Sequence, residues 1–400
     1  MQLAVQVVFW GSMLALLHTY IFYPLLMRFL AQNKRPNRTF FAIDDPNLPV
    51  VSVLMSVHNE ELVIAEKLQS LLSLNYPAKK LRIFIGSDRS TDRTNEIIEK
   101  IIAQNTAANI RFLPFAQRRG KPPVINDLSQ AASLPLLHSS RQKPADHILL
   151  LTDASVMLEP DTLFCLVRHF KNARIGVVDA NMRSKGMRDT GISRSEERYL
   201  SGEVLLKHRE GLAWGTMIGP FGGCYALRAE LFEPIPPRSL VDDFWLVFRV
   251  LERGFWAIND LEAVCYEGAT HRVSDEYRRK KRIAAGSFQN LARFRRWVLP
   301  PVTRLGFAFF SHKVLRWFGG FFLIGMFLSA SWLALESPFF RMVFGLMLFG
   351  IASALALSQT KNPLAKNLTY FLAMNVALTD GFFKWLRGIR ENTWQRTERA

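Results

Sequence analysis

The sequence predicts an α/β fold with a mainly parallel sheet, set between apolar helices near its two ends. Three observations predict it. Four apolar runs of strand length, residues 50–57, 81–85, 109–113 and 147–151, alternate with stretches of helical periodicity. Most of these runs lack the polar alternation of a half-exposed strand, as suits strands buried on both faces. Residues Gln2 to Met27 contain no Asp, Glu, Lys or Arg, and further apolar stretches follow residue 316.

The 26 residues from Gln2 to Met27, at about 1.5 Å rise each, are long enough to cross a hydrocarbon core of about 30 Å. No basic residue precedes the run, which argues against a cleaved signal peptide. The positive charges come after it, at Arg28, Lys34, Arg35 and Arg38. The positive-inside rule then places the amino terminus outside and the following domain in the cytoplasm, at the inner (plasma) membrane. Helical periodicity is expected over residues 60–74 and 92–102, and over 121–132 with Pro122 and Pro123 in the first turn. Residues 242–253 read as another helix, stopped by Gly254.

At the carboxyl end, residues 317–335 and 342–359 read as membrane spans. Residues 367–383 form a weaker one, because Asp380 is costly there unless paired or near an interface. One span plus three would put the basic tail, Lys384 to Arg399, outside, against the positive-inside rule. Either the last segment is re-entrant or interfacial, or another stretch such as Leu305 to Phe310 enters the membrane. The expected organisation is a transmembrane helix (1–30), a catalytic-type α/β domain (45–300), interfacial and transmembrane helices (301–386) and a basic tail (387–400).

The net charge of +17 suits nucleic acid, anionic lipid or a phosphorylated substrate. The basic residues flank the spans and no nucleic-acid motif occurs, so membrane lipids account for the charge and no nucleic-acid partner is expected. The three cysteines, Cys165, Cys224 and Cys265, form no CxxC pair and sit in apolar surroundings, which excludes a disulfide scaffold or zinc site and makes them core residues. No two histidines are spaced i, i+4.

Ligands of such sheets bind at the carboxyl ends of the strands. Each of the four runs ends in polar groups: His58-Asn59-Glu60-Glu61, Ser87-Asp88-Arg89-Ser90, Arg119-Gly120-Lys121 and Thr152-Asp153-Ala154-Ser155. Taken singly, Asn59-Glu60 and Asp242-Asp243 suit helix starts. Arg278 to Arg282 suits a lipid-facing surface. Their joint order points to a ligand with several polar parts.

That order resembles the nucleotide-binding half of the family 2 glycosyltransferases, which have the GT-A fold, over roughly residues 50–290. The four loops are similar to the family's Asn-Glu, Asp-Asp-Gly-Ser-x-Asp, Gly-Lys and Asp-x-Asp. The likeness extends to its polytopic members, the polysaccharide synthases. The resemblance implies an inverting hexosyltransferase that takes a nucleotide-sugar, a UDP-sugar by preference, to a lipid-linked or glycan acceptor at the membrane. It implies donor contacts from Glu60, Asp88, Lys121, Asp153 and Arg282. Asp88 suits uracil or ribose groups and Lys121 a diphosphate. Asp153 suits a divalent ion, Mg²⁺ or Mn²⁺.

On the acceptor side it implies Trp214, Gly222 and Asp242, with Asp243 as the general base. Arg282 matches the arginine of the processive enzymes' Gln-x-x-Arg-Trp, whose Gln and Trp are missing, so transfer is expected without processivity. Ser155 replaces the second Asp of Asp-x-Asp. A catalytically weakened scaffold or export subunit is the alternative, and a homo-oligomer or export partner is expected where few spans must pass a polymer.

Overall fold

The computed structural model describes residues 1–35, 37–137, 147–185, 191–268, 273–356 and 363–389. The expected basic tail lies outside the described residues from 390 onward, as do residues 357–359 of the expected second carboxy-terminal span.

The chain opens with α1 (Gln2–Leu17), a π-helical turn at His18–Phe22, and α2 (Tyr23–Leu30). Together they make an apolar stretch of 29 residues, long enough to cross a membrane. The parallel half of the sheet follows: β1 (Val50–Val57), α3 (Ile64–Leu72), β2 (Leu81–Asp88), α4 (Thr94–Gln104), β3 (Ile110–Phe115), α5 (Lys121–Leu137) and β4 (His147–Thr152). β1 runs parallel to β2 and β4, and β2 to β3.

Both faces of β1 are covered. Val51, Val53 and Met55 join a cluster with Ile64, Leu68 and Ile98 of α3 and α4. Leu54 points the other way, into a cluster with Val124 and Leu128 of α5. This two-sided burial is why the run is continuously apolar. Each such side chain contributes about 1.5–3 kcal/mol. α3 begins later than residue 60, because Asn59 adopts a left-handed φ of 55° and the Glu60 carbonyl accepts from the Val63 and Ile64 N–H groups. β2 runs on past residue 85 because pairing with β3 continues to Asp88 opposite Phe115.

Beyond β4 the sheet becomes mixed. The elements are β5 (Val156–Leu158), α6 (Thr162–Val167), β6 (Ile175–Lys185), α7 (Gly191–Trp214), β7 (Cys224–Arg228), α8 (Asp242–Glu252) and β8 (Trp256–Gly268). The strand order is β3-β2-β1-β4-β7-β6-β8-β5. β7 is antiparallel to β4 and β6, and β8 is parallel to β6. The three cysteines are free and buried.

Then come α9 (Val273–Phe294), α10 (Arg304–Ala308), a π-helical turn at Phe309–Val314, α11 (Leu315–Trp317), α12 (Gly319–Leu333), α13 (Pro338–Ala356) and α14 (Pro363–Leu386). The stretch expected as one helix over 317–335 is helical along α12, and the bend lies at its amino end, where the arm Arg304–Trp317 meets α12 at 60°. A Cβ on Gly320 would lie 2.1 Å from Thr379 Oγ1, so the bend falls where α14 crosses at close range. By length and composition two helices can cross a membrane among the described residues, Gln2–Leu30 and α13, or three if the bent pair is one span. Asp380 is paired, accepting from the Tyr277 hydroxyl at 2.6 Å and from Lys281 Nζ at 3.0 Å. The sheet face carrying α5 and α8 shares its core with Tyr23, Met27, Phe309 and Trp317, so the α/β domain and the flanking helices are packed as one body.

Candidate active site

A cleft of about 580 Å³ opens at the carboxyl end of β4, between α8, α9 and α14. Lys121, Asp153, Gly222, Asp242, Asp243 and Arg282 all line it. Lys121 opens α5, and its Nζ lies 2.7 Å from Asp153 Oδ1 and 3.7 Å from Asp242 Oδ2. Burial alone would lower this ammonium's pKa; Asp153 and Asp242 outweigh it and hold it above the usual lysine range.

Asp242 and Asp243 start α8, where the helix N-terminus favours negative charge. Burial, and then the neighbouring Asp242 charge, push Asp243 up to about 7. Gly222 has φ of 82°, and a Cβ there would lie 2.2 Å from Asp243 Oδ2. Glycine is thus required twice over, by backbone conformation and by close approach. Arg282 sits in the opposite wall on α9, with Nη1 donating to the Leu240 carbonyl at 3.2 Å. Burial and the adjacent Arg279 lower its pKa.

The Asp153 turn is fixed from below. Asp153 N–H donates to the Gly223 carbonyl at 3.0 Å. Lys67, fully buried on α3, donates to Thr152 Oγ1 at 2.8 Å and to the Val156 carbonyl. Desolvation lowers its pKa to about 8. A second buried pair stands beside the cleft: Lys207 Nζ is 3.7 Å from Asp179 Oδ2 and 3.4 Å from the Phe221 ring centre. Burial pushes Asp179 up to about 6 and Lys207 down.

Three expected residues lie outside the cleft lining. Asp88 is 3% exposed, and its carboxylate accepts from the Arg119 and Gly120 N–H groups at 2.7 and 2.8 Å. It therefore fixes the loop that delivers Lys121. Glu60 N–H donates to Thr94 Oγ1 at 2.8 Å, joining the first two loops. Trp214 packs edge-on against Phe307, 6.2 Å between ring centres, at the end of α7.

Among the described residues no group of three or more His, Cys, Asp or Glu side chains could hold a metal ion. The residues present fit a shared ion instead. Asp242 Oδ2 is buried with no hydrogen-bond partner, and it and Asp153 Oδ1 gather around the same ammonium. A hard cation here would take its remaining oxygens from a bound diphosphate.

The charged face of α7, Glu203, Lys207 and Glu210, escaped the motif reading. Its i, i+4, i+7 spacing on one helix face was the available signal. Glu203 accepts from Lys313 and, at 2.6 Å, from Arg316 Nη1. Glu210 accepts from the Tyr23 hydroxyl at 2.7 Å. These contacts tie the α/β domain to both terminal helical segments.

Comparison with known proteins identifies the family and the fold. The family model for glycosyl transferase family 2 matches residues 52–235, and that for glycosyl transferase family group 2 matches residues 147–359. The chain is 24% identical over 266 residues to a beta-monoglucosyldiacylglycerol synthase of Nostoc sp., covering 65% of this chain and 53% of that one. It is 27% identical over 175 residues to a poly-beta-1,6-N-acetyl-D-glucosamine synthase of Staphylococcus epidermidis, covering 41% and 38%. The chain thus spans about half the length, or less, of these curated relatives. The mannosyltransferase PcManGT from Pyrobaculum calidifontis, solved with GDP-Man and Mn²⁺, superposes with a TM-score of 0.70 at 20% identity over 96% of this chain and 97% of that one. With more than half of its residues matched by one family model, on a sheet of GT-A architecture, the chain belongs to glycosyl transferase family group 2.

Proposed function

We propose that the chain is an inverting glycosyltransferase that moves a sugar from a UDP-sugar to a lipid-linked or glycan acceptor at the cytoplasmic face of the inner membrane. The observation that carries this reading is Asp243. It is a half-buried carboxylate pushed up to about 7, in the same cleft as Lys121 and Asp153 on one side and α14 on another. A base with that pKa is half-ionised near neutral pH, which suits proton abstraction from a hydroxyl.

In the reaction Asp243 accepts the acceptor's hydroxyl proton as that oxygen bonds to the anomeric carbon. The bond from that carbon to the donor diphosphate breaks, and the single displacement inverts the centre. Lys121 and Arg282 face the departing nucleoside diphosphate and offset its charge, Arg282 in bidentate fashion. Asp88 and Lys67 act indirectly, by holding the Lys121 and Asp153 loops. A divalent ion held by Asp153, Asp242 and the diphosphate would add Lewis-acid stabilisation of the leaving group. The activities named for two similar proteins, glucosyldiacylglycerol synthesis and poly-N-acetylglucosamine synthesis, support a membrane acceptor.

The test is product stereochemistry. Proton NMR of the first turnover from an α-linked UDP-sugar should show a β-linked product. An α-linked product would contradict the single displacement.

A further inference from the structure

We infer that a groove between the amino-terminal membrane helix and α7 seats the phosphate of an anionic phospholipid, held there as a ligand distinct from donor and acceptor. This site depends on Gln2–Leu30 lying in the membrane, and not on the identity of either substrate.

The groove holds about 660 Å³ and shares no lining residue with the cleft that contains Asp243. Leu25, Arg28, Phe29 and Gln32 line one wall, at i, i+3, i+4 and i+7 along α2 and the turn that ends it. Leu205, His208, Arg209 and Leu212 line the other, at the same spacing along α7. Each wall is therefore one helix face with an arginine on it. On α7 this face lies opposite the one that buries Glu203, Lys207 and Glu210.

The two walls are fixed to each other. The Tyr23 hydroxyl donates to Glu210 Oε1 at 2.7 Å, and Lys34 Nζ donates to the Ala213 carbonyl at 3.2 Å. One tie precedes Arg28 in the chain and the other follows it, so the groove is preorganised before any ligand arrives.

Its charge is of one sign. None of the lining residues is Asp or Glu. Among the described residues neither Arg28 nor Arg209 has a carboxylate partner. His208 is committed elsewhere, its Nδ1 donating to the Asn259 carbonyl at 3.0 Å. Burial, and then the positive charge of Arg28, lower the pKa of Arg209, so the two guanidiniums stand near enough to repel. An anion between the walls would replace that repulsion with charge-assisted hydrogen bonds.

The apolar rim selects a lipid as the source of the anion. Phe29, Leu25 and Leu205 are 72%, 55% and 40% exposed, which leaves apolar surface beside the arginines for acyl chains. Arg28 stands in the last turn of α2, at the end of the 29-residue stretch long enough to cross a membrane, where headgroups lie. A free phosphate would leave that apolar surface uncovered. A zwitterionic lipid would bring its own cation up to the two arginines, so the groove favours a headgroup with net negative charge.

The test uses the full chain in neutral detergent. Phosphatidylglycerol and phosphatidylcholine with the same acyl chains are titrated separately, and bound lipid is counted by native mass spectrometry. Wild type should retain phosphatidylglycerol at least tenfold more tightly. Arg28→Gln and Arg209→Gln should each cut that margin about fivefold, the equivalent of about 1 kcal/mol for one cation near an anionic surface. Arg35→Gln removes an exposed charge close by but outside the groove, and should keep the margin. Millimolar inorganic phosphate should not displace the lipid. Equal retention of the two lipids by the wild-type chain overturns the inference, whatever the variants do. So does displacement by free phosphate, or a groove variant that keeps the margin. A margin that falls as far in Arg35→Gln as in the groove variants also overturns it, because general surface charge then accounts for the preference.

Discussion

Replacing Asp243 by Asn keeps the shape of the cleft floor and removes its base. A positioned general base contributes about 10²–10⁴ in rate, which is about 3–5 kcal/mol at 1.36 kcal/mol per tenfold. Turnover with a hydroxyl acceptor should fall by that factor. The pH dependence separates this from a general disturbance. With Asp243 pushed up to about 7 by burial and by Asp242, wild-type kcat/KM should rise about tenfold per unit below that pH and level off above it; the variant's residual rate should be flat.

Stability moves the other way. The folded protein holds this proton more tightly than the unfolded chain, whose carboxylate has a pKa of about 3.9. The folded state is therefore disfavoured progressively as pH rises from about 4 to 7, and fully above it. Asp243→Asn removes that penalty, so above pH 7 the variant should melt higher, by an upper limit of about 4 kcal/mol. A variant within tenfold of wild-type turnover, or a wild-type profile flat from pH 5.5 to 8.5, would refute the assignment.

Lys121→Met should cost about 2–3 kcal/mol in urea unfolding. It strips the counter-ion from Asp153 and Asp242, and the partial exposure of Asp153 trims the 3–5 kcal/mol of a fully buried broken pair. Lys67→Met tests the support beneath Asp153. With its ammonium lowered to about 8 in the fold, the wild type should gain stability relative to the variant as pH rises from 8 to about 10.4, a trend that parallel melts would show or exclude. Arg89 adopts φ of 57° at a position where the family pattern has glycine. Arg89→Gly should relieve about 1–2 kcal/mol of left-handed strain against the added chain entropy of about 0.5–1 kcal/mol, so a loss above about 1 kcal/mol in thermal melts would contradict this account of the loop. Chelation with EDTA should lower turnover at least tenfold and Mn²⁺ restore it, despite Ser155; unchanged turnover would mean that Lys121 and Arg282 meet the leaving charge alone.

The parallel half of the fold was legible because burial on both faces leaves an unbroken apolar run in each strand, with the loop chemistry at its carboxyl end. Lys121, Asp153 and Asp242-Asp243 follow local signals, a glycine turn, a strand end and a helix start in that order, and the fold gathers them. The mixed half was less legible. β5 is three residues long, and β6 and β7 pair across nearly fifty residues, so no local pattern announces them. Asp88 carries the same motif position as expected, yet its carboxylate is spent on the Arg119 and Gly120 amides, a contact that only the tertiary loop arrangement reveals. Glu203 depends on Lys313 and Arg316 more than a hundred residues away. The bend beside Gly319 falls where Gly320 meets Asn375 and Thr379 of α14, residues more than fifty positions on that no local pattern brings to it.

The most direct test of the central claim is UDP release from a panel of UDP-sugars by the purified chain in membrane lipid extract, with Asp243→Asn beside it. The account predicts release selective for one sugar, dependent on lipid extract, and reduced at least a hundredfold in the variant. Release that is equal in the two proteins, or absent from wild type with every sugar while the chain fails to bind UDP, would contradict it.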